Sequence, residues 1–289
     1  MFYRIAEHNI EIVAPADVLA DLLPSFLPFL LEGKADNLLF RLTIDENLQK
    51  VAEDEKRLIR DVDTGNGRTC VEKTSAGGYQ FTVRDIYGRA CALLVTSPRF
   101  DDCRVRIRGG IGTKRFALNN ALMLVFAFSG AYFDTLLIHA SVVRHKDKAY
   151  AFTAKSGTGK STQVANWMRY IEGCDIMNDD NPIIRIIDGK PVLYGSPWSG
   201  KTPCYRNTKA DLGAIILIER DTRNHVEPMQ PLIAFSTILS ACSGMKWDET
   251  LYQLICKTSS AIVEKVKVVA LHCLPDRESA EVCRAYMED

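Results

Sequence analysis

The sequence has no surplus of charge in either sign. Lys plus Arg and Asp plus Glu each number 36. That balance removes the basic excess with which bulk electrostatics hold nucleic acid, so no nucleic-acid partner is expected. Nor does it hold a C-x-x-C pair among its nine cysteines, which argues against a structural zinc site. The odd cysteine count, and a start at Met1 that shows no basic run followed by an apolar one, point to a reducing cytoplasm. Internal repeats and low-complexity tracts are missing too. A membrane-spanning run is not found: Phe116–Phe133 is uncharged but contains Asn119, Asn120, Ser129 and Gly130, and its unbroken apolar part is only Ala121–Phe128. A spanning helix needs about 20 mostly apolar residues, so this segment reads as a buried core helix and no membrane partner is expected.

What is present is an ordinary globular balance, 47% hydrophobic and 25% charged over 289 residues, enough for one large domain or two modest ones. Residues 1–110 read as a β-rich domain of unknown role. Leu38–Ile44, Arg57–Val62, Tyr79–Val83 and Ala90–Thr96 have strand character and are separated by turn signals at Gly65-Asn66-Gly67, Gly77-Gly78 and Tyr87-Gly88. Pro15–Leu31 reads as a helix interrupted by Pro24 and Pro28. The pattern changes near Gly109-Gly110. Residues 111–289 alternate strands (Leu136–Val143, Lys148–Thr153, Asp175–Met177, Ile183–Ile187, Pro191–Tyr194, Ala214–Glu219, Val266–His272) with helices (about 114–133, Lys160–Tyr170, Pro231–Ser240, Asp248–Lys257, Arg277–Tyr286).

One motif in this second part carries chemistry. The apolar strand Lys148–Thr153 runs into Ala154-Lys155-Ser156-Gly157-Thr158-Gly159-Lys160-Ser161-Thr162, and a helix follows. This is the strand–loop–helix context of a Walker A phosphate loop. Glycines let backbone N–H groups turn toward phosphate oxygens, and the helix N-terminus adds partial positive charge. Residues Lys155 to Thr162 are therefore the expected nucleotide-binding set. Lys160 is placed to reach the β- and γ-phosphates and the Ser161 hydroxyl to ligate Mg²⁺. The strict pattern has glycine where Ala154 stands.

Asn178-Asp179-Asp180 follows the next apolar strand. Carboxylates at a strand end near such a loop can divide two tasks: one holds Mg²⁺ and the other takes a proton from an attacking hydroxyl. No Asn-Lys-x-Asp guanine-recognition string occurs; Asn207-Thr208-Lys209-Ala210-Asp211 has the wrong spacing.

From His139 onward the chain resembles the catalytic domain of HPr kinase/phosphorylase and the wider group with the phosphoenolpyruvate carboxykinase nucleotide-binding fold. The resemblance is carried in order by His139-Ala-Ser-Val-Val143, the loop through Lys160-Ser161-Thr162, Asp179-Asp180, Gly195-Ser-Pro-Trp-Ser-Gly-Lys201 and Asp211-Leu-Gly-Ala-Ile-Ile-Leu-Ile-Glu219. It implies an α/β (α+β) P-loop kinase domain with a mixed sheet, preceded by the β-rich region. It also implies ATP and Mg²⁺ as cofactors, Asp179 as general base, Asp180 with Ser161 on the metal, and His139 beside the acids. Arg206 would meet the transferred phosphoryl group, a task that suits a planar guanidinium, and Lys201 could do similar work. The arginine- and glycine-rich signature of HPr kinases is replaced by Pro203-Cys-Tyr-Arg-Asn207, which leaves the acceptor open.

The expected function is therefore an ATP- and Mg²⁺-dependent kinase acting on a hydroxyl-bearing acceptor, be it a peptide, a small protein or a metabolite such as free serine. Rival readings are a nucleotide-gated regulatory module without kinase activity, a carboxykinase-type enzyme, and a phosphorylase running the transfer backward. The resemblance also leaves a homo-oligomer open. Trp198 is read as a packing residue, and His8, His145, His225 and His272 as structural or surface residues.

Overall fold

In the computed structural model, which describes residues 1–63, 65, 67–155, 157–200 and 202–288, each run read as a strand in the N-terminal region forms one. The chain divides into two units, Met1–Ser129 and Gly130–Asp289. The first contains β1 (Phe2–Ile5), β2 (His8–Val13), α1 (Ala16–Leu22), β3 (Leu38–Ile44), β4 (Lys56–Asp63), β5 (Arg68–Thr74), β6 (Tyr79–Arg84), β7 (Ala90–Thr96), β8 (Asp102–Ile107) and nearly all of α2 (Ile111–Ala131). Its eight strands make one mixed sheet in the order β1-β2-β3-β8-β7-β6-β5-β4. The helix expected at Pro15–Leu31 ends before Pro24, and the residues Pro24–Phe29 continue as a 3-10 helix, because proline cannot donate into an α-helical ladder. In α2, Leu118, Ala121, Leu122 and Val125 are fully buried. That is the i, i+3, i+4, i+7 stripe of a helix with one packed face. The unit boundary falls in the last turn of α2 rather than at residue 110, and α2 packs Phe126 near His8 and Phe128 near Phe81 of the N-terminal strands. Among the described residues, no helix is long and apolar enough to cross a membrane.

The second unit holds β9 (Thr135–Ile138), β10 (Ala140–His145), β11 (Lys148–Thr153), α3 (Lys160–Tyr170), β12 (Asp175–Asp180), β13 (Ile183–Ile187), β14 (Lys190–Tyr194) and β15 (Lys209–Arg220). These are followed by β16 (His225–Pro228), α4 (Pro231–Ala241), β17 (Cys242–Ser243), α5 (Glu249–Val263), β18 (Lys267–Cys273) and α6 (Arg277–Glu288). The run Leu136–Val143, read as one strand, is two. β9 pairs with β13, β10 pairs with β11 and β12, and His139 sits at the change of partners with its N–H donated to the Ala241 carbonyl at 2.8 Å. The fold is thus mixed α/β with two mixed sheets.

Strand direction decides what meets at the sheet edge. β10 is antiparallel to both β11 and β12, so β11 and β12 run the same way. β15 is parallel to β11, and β18 to β15. The carboxyl ends of β11, β12, β15 and β18 therefore share one edge, together with the amino end of β10. Ala140 lies opposite Asp180, and its neighbour Ser141 pairs with both Phe152 and Asp179. The phosphate loop, His139 and the acid pair are consequently brought to one level by register alone.

A core cluster on one face of this sheet fixes the helix after the loop. Trp167 of α3 is fully buried, 5.0 Å from the Tyr150 ring and 5.7 Å from the Phe152 ring, and α6 adds Ala280 and Cys283 to the same core. Replacing Trp167 by Ala removes this anchor and is expected to cost about 3–5 kcal/mol. Urea denaturation checks this as a fall in midpoint at unchanged slope.

Candidate functional site

The loop between β11 and α3 folds on two glycines. Gly157 has φ +77° and Gly159 φ +136°, values that L side chains rarely adopt. A Cβ on either would meet nothing within 4 Å, so backbone conformation rather than crowding requires glycine. Ala154 keeps a negative φ, which removes the need for glycine at the position where the sequence departs from the strict motif. The Lys155 carbonyl accepts from Thr158 N–H at 3.1 Å and closes the turn. Helix α3 starts at Lys160 with no side-chain cap. Its first N–H groups have no intrahelical acceptor and point out of the helix start, a geometry that suits an anion. Ser156 lies outside the described residues.

Next to this helix start, Asp179 is 3% exposed and its carboxylate binds three segments. Oδ1 accepts from Ser161 Oγ at 2.9 Å and from Ser141 Oγ at 2.8 Å; Oδ2 accepts from Thr202 N–H at 3.3 Å. Ser161 and Asp179 are hard oxygen donors already in contact, the donor set that Mg²⁺ prefers. Asp180 is the more accessible acid, its side chain 32% exposed. Its Oδ1 lies 3.0 Å from His139 Nδ1, and its Oδ2 accepts from Asn181 Nδ2 at 2.6 Å. On the other side of the imidazole, His139 Nε2 lies 3.0 Å from Lys160 Nζ. A lysine ammonium only donates, so Nε2 takes the acceptor role and the imidazole proton sits on Nδ1, facing Asp180. The result is a chain from Lys160 through His139 to Asp180.

Asn178 shapes the turn that presents these acids. Its Oδ1 accepts from the N–H groups of Asp180 and Asn181, at 3.0 and 2.9 Å, and its Nδ2 donates to Ser196 Oγ and the Trp198 carbonyl. Trp198 is buried, as a packing residue should be. Gly200 lies so close that a Cβ there would stand 2.5 Å from the Asp179 carbonyl oxygen.

Two sequence expectations for this site meet a different arrangement. Arg206 is not brought to the loop. Its Nη1 donates to Asp175 Oδ2 at 2.6 Å and to the Ile176 carbonyl, while Arg144 makes a two-point contact with the same carboxylate. Asp175 begins β12 and Asp180 ends it, about 16 Å apart along an extended strand. Burial alone would raise the Asp175 carboxyl, but the two arginines outweigh it and hold it below its ordinary value. Ser161, moreover, is paired with Asp179, whereas Asp180 was the expected metal-side acid. Lys201 lies outside the described residues.

On the far side of the loop is a cavity of about 370 Å³, lined by Gly157, Thr158 and Thr162 on one wall and by Ile218, Arg220 and Cys273 on the other. Arg220 ends β15, where its Nη2 donates to the Gly157 carbonyl at 2.7 Å and its Nε to the Thr158 carbonyl at 3.2 Å. Sequence reading stopped one residue short of it, at Glu219, and did not single out Ser141 or Thr202 either. Ser141 did carry a signal, standing two residues beyond His139 in the same apolar run of the sequence.

No protein-family model and no curated protein matches the chain. Among solved structures, an HPr(Ser) kinase/phosphatase from Coxiella burnetii matches with 11% identity and a TM-score of 0.30, over 53% of this chain and 99% of that one. This is a distant structural likeness only, and the functional reading rests on the geometry above.

Burial pushes the Lys160 amine below its ordinary value, offset in part by Asp180 and Asp179. A phosphate needs the cation, which is lost as pH rises through the lowered pKa. Nucleotide affinity is therefore expected to begin falling on the alkaline side below the ordinary lysine value of about 10.4. Titrating nucleotide Kd from about pH 7 to about pH 10 checks it. In Lys160→Arg, which stays charged throughout, the alkaline fall should disappear.

Proposed function

We propose that the chain is an ATP-dependent, Mg²⁺-dependent kinase that transfers the γ-phosphoryl group to a hydroxyl on a serine of a protein or peptide, on free serine or on a similar small molecule. The observation that carries this reading is the convergence at one sheet edge of Lys160, the Ser161–Asp179 pair and the His139–Asp180 pair. Bound there, a triphosphate with Mg²⁺ would supply a transferable phosphoryl group and neutralise much of its charge.

The chain's own residues do the rest. The N–H groups at the start of α3 and the Lys160 cation hold the phosphates in place, and positioning of this kind supplies most of the catalysis in phosphoryl transfer. Ser161 and Asp179 would hold the Mg²⁺. Asp179 is buried and both its oxygens are already engaged by Ser141, Ser161 and Thr202, so an acceptor hydroxyl has little access to it. Asp180 is reachable from solvent, and His139 orients it with a donated N–H. It is therefore the better placed base, and this reverses the roles that the family resemblance implies for the two acids. The acceptor oxygen forms its bond to phosphorus as the bond to the β-phosphate oxygen breaks, and the acceptor proton passes to Asp180. The cavity beside Arg220 has room for the nucleoside, since ligand pockets start at about 300 Å³. A reducing cytoplasm suits the nine free thiols.

Incubation with γ-labelled ATP and a panel of hydroxyl-bearing metabolites and serine peptides, read by mass spectrometry, tests the reading. Label is expected on an acceptor, and Lys160→Ala should abolish it. Label released only as inorganic phosphate would instead favour a nucleotide-gated module. Asp180→Asn should lower kcat by about 10²–10⁴-fold with nucleotide Kd unchanged. Asp179→Asn should raise the Mg²⁺ needed for half-maximal rate by at least about 10-fold. The opposite pattern would restore Asp179 as the base.

A further inference from the structure

Where β16 crosses β18, His225 lies directly opposite His272. Their rings stack with centroids 4.6 Å apart and planes 9° from parallel. Asp221, on the turn that leaves β15, brings a carboxylate to the same place: one ligand atom from each of Asp221, His225 and His272 lies within 4.8 Å of the others. Further carboxylates ring the pair. His272 Nδ1 is 3.4 Å from Glu219 Oε2, His225 Nε2 is 3.5 Å from Glu227 Oε1, and His272 Nε2 is 3.9 Å from Glu227 Oε2. Two imidazoles facing each other amid three acids is more than a strand pair needs for packing, which an apolar pair would satisfy.

We infer that Asp221, His225 and His272 form a binding site for a divalent transition metal of the Zn²⁺ class, with Glu227 or Glu219 at a remaining position. Imidazole selects Zn²⁺, Ni²⁺, Co²⁺ or Cu²⁺ over Mg²⁺ and Ca²⁺, which prefer all-oxygen donors. A tetrahedral ion with bonds of about 2.0–2.2 Å holds its ligand atoms about 3.4 Å apart. The present spacing needs to close by about 1 Å or a little more, and the stacked rings must turn so that their in-plane nitrogen lone pairs converge; both are side-chain rotations open to an exposed Asp221 and two partly exposed histidines. The site differs in chemistry from the Ser161–Asp179 pair, and it does not depend on the kinase reading. It does adjoin it: Asp221 also lines the cavity beside the loop and directly follows Arg220, which holds the Gly157 and Thr158 carbonyls.

The test is equilibrium dialysis of the intact chain against micromolar Zn²⁺ with millimolar Mg²⁺, alongside electron paramagnetic resonance of the Cu²⁺-loaded protein. Because thiols in general can also take up Zn²⁺ and the chain has nine free cysteines, the comparison is with the double variant His225→Ala/His272→Ala, its fold checked by circular dichroism, and with Asp221→Asn. Wild type should hold one more equivalent than the double variant and show nitrogen hyperfine coupling from two imidazoles, which each single histidine variant reduces to one. Equal stoichiometry and unchanged coupling in folded variants would overturn the site, as would displacement of the ion by Mg²⁺.

Discussion

The carboxylate of Asp179 ties together three segments that are separate in sequence. Ser141 reaches it from β10, Ser161 from the first turn of α3 and the Thr202 amide from the loop after β14. A buried carboxylate is tolerated only when its oxygens are satisfied, so each donor is held where Asp179 needs it. The position of the helix start relative to the strand ends follows from that requirement. So does the separation of the two neighbouring acids into an enclosed one and an accessible one.

Register and polarity then act together. Ala140, Thr153 and Asp180 stand at one level because β10 is antiparallel to both of its neighbours. His139, at the break between β9 and β10, is delivered to the same level and bridges Lys160 to Asp180. The loop lies between two differently furnished sides. Toward β12 are the acids and the imidazole; toward β15 and β18 is the cavity with Arg220. A phosphate chain on the loop would have its reacting end on the first side and its nucleoside on the second.

Much of this was legible in the sequence because it depends on local chemistry. Glycines in the left-handed region and a lysine opening a helix are the loop's own requirements, and the acid pair ends an apolar strand. Less legible were features set by distant pairing. Arg206 reads as a cation for the transferred phosphoryl group until Asp175 is seen beside it with Arg144. His225 and His272 read as isolated until β16 pairs with β18. In the first unit, the hairpin of β1 and β2 turns on Ala6 and Glu7, both with positive φ. Such a turn usually announces itself with Asn-Gly, and here that signal is missing. Strand β5 went unread for another reason: Val71 is its one buried apolar side chain, which leaves little alternation to read.

The central claim is that this sheet edge takes the phosphates of a nucleotide. Amide hydrogen exchange followed by mass spectrometry, with and without a non-hydrolysable ATP analogue and Mg²⁺, addresses it directly. The account predicts slowed exchange confined to the loop and first turn of α3, to the end of β12 around Asp179 and Asp180, and to the end of β15 at Arg220. Nucleotide binding that protects a different surface and leaves the loop amides unchanged would contradict it.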